Sequence, residues 1–134
     1  MSPTPPTHDW QATGSHGVVA AGGAAAVEAG IHILEAGGNA ADAAAATILA
    51  LNVTDHILCS IGGEVPVLIH SVAHGRVQAL SGQGRAPSSP EAIDWYMRHG
   101  IPGDGDIKMA PVPAVVDTCI TLLQHFGTMT LAQV

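Results

Sequence analysis

The sequence predicts a mixed α/β fold, and three patterns carry that expectation. Several segments space their apolar residues at helical intervals, one short stretch alternates with period two, and glycine and proline clusters punctuate the boundaries. A length of 134 residues falls within the range of one domain. Aromatics contribute only 3% of the chain, so the core must be built from Val, Ile, Leu and Ala in close contact.

Residues 1–16 carry Pro, Thr and Ser without periodicity and read as an extended N-terminal segment. Gly17-Val18-Val19-Ala20-Ala21 has the character of a short buried strand, leading through Gly22-Gly23 into a first helix. Val27, Ile31 and Leu34 share one face of that helix, and Glu28, His32 and Glu35 lie largely on another. Gly37-Gly38 ends it, because glycine adopts the left-handed conformation past a helix end at little cost. Asn39 caps a second helix with Asp42 in its first turn, where a carboxylate favours the helix dipole. Its body, Ala40-Ala41 and then Ala43 to Leu51, is apolar on nearly every side, which predicts burial all round.

The stretch from Ile57 to Gly63 breaks that helix. Val65, Val67 and Ile69 alternate with Pro66, Leu68 and His70 as a strand, and Pro66 marks an edge or a strand start. Ala73-His74-Gly75 turns the chain, and Arg76 to Leu80 returns as a second strand. Ser81 to Pro87 is a loop. Ser89-Pro90-Glu91 opens a third helix ending near Gly100, with proline at the first helical position. Pro102 to Asp106 forms a loop, and a fourth helix runs from about Ala114 to Phe126. Val116, Ile120, Leu123 and Phe126 trace its apolar face. Thr130-Leu131-Ala132-Gln133 has the form of a capping box, which announces a further helix and reads as part of something longer.

Composition excludes some function classes. With 11 Asp and Glu against 4 Lys and Arg, the net charge is −7. Phosphate backbones and anionic lipid surfaces demand clustered bases, so no nucleic-acid or membrane partner is expected. The lead residues show no basic and apolar signal, and the longest apolar run is too short to span a bilayer. A cytoplasmic location is the expectation. Cys59 and Cys119 read as small hydrophobes and not as a disulfide or a metal pair.

Local motifs do not identify a chemistry. Gly82-x-Gly84 and Gly22-Gly23 lack the third glycine of a dinucleotide fingerprint and read as structural turns. His70 and His74 lie across a strand end, where four-residue spacing does not converge on a metal. Asp104 and Asp106 lack the remaining ligands of a calcium loop. Ser60 and Ser81 sit in no nucleophile elbow.

Three blocks, in order, resemble the gamma-glutamyltransferase family. The most specific is Ala29-Gly30-Ile31-His32-Ile33-Leu34-Glu35-Ala36-Gly37-Gly38-Asn39-Ala40-Ala41-Asp42-Ala43, preceded by the apolar run from Gly17. Ser60-Ile61-Gly62-Gly63 before the hairpin is the second. The third comprises Gly84-Arg85-Ala86-Pro87, then Val112-Pro113, and Phe126-Gly127-Thr128-Met129-Thr130-Leu131 after the fourth helix. The resemblance covers residues 17–134, which it identifies as the N-terminal part of a large subunit. It implies an N-terminal-nucleophile hydrolase, an αββα sandwich of two stacked sheets between helix layers. In that family the precursor cleaves itself to expose a threonine, which attacks an amide carbonyl with its own α-amino group as base. That threonine lies in a small subunit, so the resemblance places no catalytic residue in these 134 residues. It implies an αβ heterodimer or a higher oligomer, with no cofactor.

One family substrate position does fall within the chain. Transferases of the family carry a loop of the form D-x-R-E-x-A-P whose arginine pairs with the substrate carboxylate. Aligned on Ala86-Pro87, that arginine is replaced by Gln83, which brings no charge and no bidentate fork. Arg85, two residues on, would face the same side in an extended loop and take over the contact. Gln83 and Arg85 are therefore the candidate substrate-binding residues. The Gln83 replacement and the Gly63-Glu64-Val65-Pro66 stretch, where the family has more glycines and an aromatic, point toward the amidohydrolase members and a small amide substrate. A true gamma-glutamyltransferase or glutathione hydrolase and a non-catalytic, partner-binding remnant are the alternatives.

Overall fold

The computed structural model describes residues 11–103 and 105–134. The order is α1 (Ala24–Glu35), α2 (Ala40–Thr54), β1 (Val67–Ser71), β2 (Arg76–Leu80), α3 (Pro90–His99), a short 3₁₀ turn (Ile107–Met109) and α4 (Val115–Phe126). Helix α2 is central. It packs on α1 along one side and on α4 along the other.

Its placement begins with its cap. Asn39 Oδ1 accepts from the backbone N–H groups of Ala41 and Asp42 at 2.8 and 3.1 Å, and Asp42 accepts in return from the Asn39 N–H. This reciprocal box satisfies donors that the first helical turn leaves free. Ala41, Asp42, Ala43, Ala45, Ala46 and Thr47 are all buried, so the expectation of a helix enclosed on most sides holds. Ala41 and Ala45 join Val115, Cys119, Leu122 and Leu123 of α4 in the main core, and Val67, Ile69 and Leu80 lean on it from the hairpin. A second cluster joins Ile33 of α1 to Ala43 and Ala46.

The hairpin is antiparallel, with Val67 opposite Leu80 and Ile69 opposite Gln78. Pro66 lies just before β1, as the strand-start expectation requires. Odd-numbered residues of β1 face the helices. Leu68 and Val77 on the outer face remain 79% and 61% exposed. Helix α3 starts at the expected Ser89 cap and Pro90, and stops at Gly100. At the far end, the Gln133 side chain accepts from the Thr130 N–H, and Val134 N–H donates to the Thr130 carbonyl, so one turn forms there.

Three expectations need correction. Residues 17–21 form no strand: the sheet among the described residues has two strands, β1 and β2, and offers this segment no ladder. Val18 is exposed, and Val19 lies instead against α1 at Gly30. On α1 the buried residues are Ala26, Gly30 and Ile33, whereas Ile31 is exposed. The small residues are buried because α2 approaches there so closely that a Cβ on Gly30 would strike Thr47 Oγ1 and come within 2.9 Å of Val19. On α4 the buried face is Val115, Thr118, Cys119, Leu122 and Leu123, and Val116 is exposed. The 3₁₀ turn, capped by the Asp106 side chain on the Lys108 N–H, was not expected from the sequence. Residues 1–10 of the expected lead-in, and Asp104, lie outside the described residues.

Candidate functional site

The loop after β2 carries both candidate residues, and its backbone is wedged in place. The Val65 N–H donates to the Gly82 carbonyl at 2.9 Å. A Cβ on Gly82 would collide with the Val65 carbonyl, and one on Gly84 with the Val112 carbonyl. Neighbouring backbones therefore close on alternate loop positions, and only glycine admits that approach. The glycines serve packing, in agreement with the structural-turn expectation. They leave Gln83 and Arg85 as the side chains between and beyond them on which the substrate-binding expectation rests.

The structure does not bring these two residues to one cleft. Gln83 borders a small cleft of about 200 Å³ against α4, shared with Asp117, Thr118 and Thr121. Arg85 borders another of about 460 Å³, walled by α3 and the 3₁₀ turn. Asp117 places a negative charge beside Gln83, whereas among the described residues no Asp or Glu lines the Arg85 cleft. A carboxylate is thus repelled from the first and admitted to the second.

Sequence reasoning overlooked the far wall of the Arg85 cleft. Tyr96 donates its hydroxyl to the Lys108 carbonyl at 2.6 Å, tying α3 to the 3₁₀ turn. The Lys108 ammonium stands 4.8 Å from the Trp95 ring centroid, and Trp95 stacks on His99. The available signal was Ile93 and Met97 at i and i+4 on a helix without a buried residue, with Ile101 following just past its end.

Asn39 and Asp42, from the most specific sequence block, have a different task. Asn39 Nδ2 donates to the Phe126 carbonyl at 2.7 Å, and Asp42 accepts from the Thr128 N–H, the Thr128 hydroxyl and the Met129 N–H. Together they clasp the segment after α4 to the start of α2. Burial of Asp42 pushes its pKa up, but the donors from Asn39, Thr128 and Met129 outweigh that and hold it below the ordinary 3.8. Both cysteines are free. Burial, with Cys59 nearby, pushes the Cys119 thiol up to about 11, which removes it as a nucleophile at neutral pH. Among the described residues no group of three or more His, Cys, Asp or Glu is placed to hold a metal ion. His74 bonds Ser71 at 2.8 Å instead.

The family model for gamma-glutamyltranspeptidase matches residues 26–134. The chain belongs to that family. It is 31% identical over 109 residues to the glutathione hydrolase-like YwrD proenzyme of Bacillus subtilis, covering 81% of this chain and 21% of that protein. To the acylase ACY 1 proenzyme of Pseudomonas sp. (strain V22) it is 33% identical over 138 residues, covering 92% and 24%. Among solved structures it superposes on the gamma-glutamyltranspeptidase of Pseudomonas nitroreducens complexed with L-DON. The TM-score is 0.72 at 26% identity, over 90% of this chain and 37% of that one. The Helicobacter pylori gamma-glutamyltranspeptidase gives 0.69 at 28% identity, over 92% and 36%. The chain thus spans between 21% and 24% of the first two relatives, and its mixed α/β arrangement is a portion of their N-terminal-nucleophile hydrolase fold.

Proposed function

We propose that this chain is the N-terminal large-subunit portion of a gamma-glutamyltransferase-like amidohydrolase that cleaves a small amide. The nucleophile is an N-terminal threonine outside these residues, exposed by self-cleavage and carried by a small subunit in an αβ heterodimer. What carries this reading is the family match along residues 26–134, together with relatives named as hydrolase and acylase proenzymes. The chain's own contribution is to position substrate. Arg85 supplies a cation in the cleft walled by α3 and the 3₁₀ turn, a different cleft from the one Gln83 borders, and Gly84, wedged against Val112, helps fix the loop that presents it. Two unpaired cysteines fit a reducing, cytoplasmic setting, and no described helix is long and apolar enough to cross a membrane.

Intact-mass analysis with N-terminal sequencing of the protein from its native source tests this. Two chains, one opening with threonine, are expected. A single chain near 13.5 kDa without a partner would overturn the reading and leave the non-catalytic alternative. A true gamma-glutamyltransferase is the second reading. It is favoured by a glutathione hydrolase proenzyme of Bacillus subtilis subsp. natto at 37% identity over 75 residues. It is weakened by Gln83 at the arginine's place and by Asp117 beside it.

A further inference from the structure

The chain has four Lys and Arg residues, and two of them, Arg85 and Lys108, line one cleft of a protein with net charge −7. The other two are engaged elsewhere: Arg98 pairs with Asp94, and Arg76 donates to Gln78. The Lys108 ammonium stands over the ring of Trp95, which is not among the lining residues, so Arg85 is the cation the cleft holds free. Arg85 has no ion pair or hydrogen bond among the described residues. Five donors on a permanently charged, planar group are left to a ligand.

The rest of the cleft is hydrocarbon and thioether. Ile93 and Met97 on α3 are 51% and 82% exposed, Ile101 just past its end is 80% exposed, and Met109 lines the same cleft from the 3₁₀ turn. About 460 Å³ suits a small organic ligand. Apolar walls favour burial of a carbon chain, while the cationic mouth favours an anion. With no acid among the described lining residues, an α-ammonium group would meet the like charge of Arg85 and no partner.

We propose that this cleft binds an amphiphilic carboxylate. Its carboxylate meets Arg85, and its aliphatic or aromatic body lies on Ile93, Met97, Ile101 and Met109. Assignment of this ligand to the substrate rests on the amidohydrolase reading above. The substrate is then an amide carrying a free carboxylate on an apolar body, and the cleft selects against an amino-acid zwitterion.

The test uses the full protein labelled with [methyl-13C]methionine, with hexanoate as probe and hexanamide as its neutral counterpart. Hexanoate is expected to shift the Met97 and Met109 methyl resonances saturably, and hexanamide to bind about tenfold more weakly, the worth of one charge-assisted contact. Arg85→Gln should abolish that difference while leaving hexanamide binding unchanged. Equal binding of both probes to the native protein would overturn the proposal even if the variant failed to fold. So would resonances that hexanoate never moves, the outcome if another part of the protein or a second copy covers the cleft. The amidohydrolase reading fails separately: binding without any amide hydrolysis sinks that reading and keeps the site. Hydrolysis with unmoved methionines does the reverse.

Discussion

A carboxylate with no exposed surface is costly in a protein interior unless donors surround it, and Asp42 is surrounded. Its oxygens receive the Asn39 N–H from three residues back, and the Thr128 N–H and hydroxyl and the Met129 N–H from 86 and 87 residues on. Asp42→Asn puts an amide nitrogen among donors and leaves some of them unpaired, so it should cost roughly 2–4 kcal/mol in urea unfolding. The pH dependence follows in sign. The folded-state pKa lies below the ordinary 3.8, so the contribution is fully present above that pH and is lost as pH falls through the folded value. Acid titration of stability should show this loss in the native protein, and the Asn variant should lack it. Sequence made Asp42 conspicuous as part of the most family-specific block, but gave it only a capping role. Its partners lie beyond α4, and local spacing carries no information about them.

At the scale of elements, capping and turn chemistry were legible and contact faces were not. Asn39, Ser89 and the glycines after α1 and α3 set helix ends within a residue or two of those observed, because those signals act locally. The packed faces of α1 and α4 were misplaced by about one position, because hydrophobicity favours Val27, Ile31 and Val116 whereas close approach favours Gly30 and Thr118. Gly30→Ala decides between these two pressures. Alanine gains about 1 kcal/mol of helix propensity over glycine, yet its methyl would strike Thr47 and crowd Val19. Overpacking should win, giving a net loss of about 1–3 kcal/mol in thermal or denaturant unfolding. A stabilised variant would mean that α1 and α2 can separate without consequence.

For the whole molecule, the αββα expectation came from family resemblance, and the described residues supply one hairpin of that sandwich with helices on a single face. The Arg85 cleft was only half legible for a similar reason. Its loop sits in a recognisable block, but Lys108 reaches it through a turn that no periodicity announces. Leu68 and Val77 on the hairpin's outer face leave large apolar groups uncovered in the chain by itself. Gln78 Nε2 is a buried donor with no acceptor, and an unmade bond of that kind costs about 1–3 kcal/mol. A two-stranded sheet is marginal in water without further strands or a helix packed against it, and α2 and α4 cover one face only. The isolated 134-residue chain should therefore bind a dye for exposed apolar surface such as ANS, and unfold in urea over a broad range. One sharp transition without dye binding would show that α2, α4 and the hairpin suffice as a cooperative unit. It would also favour the non-catalytic reading over that of a subunit portion, because a chain that is stable alone has no physical need of the strands a hydrolase sandwich would add.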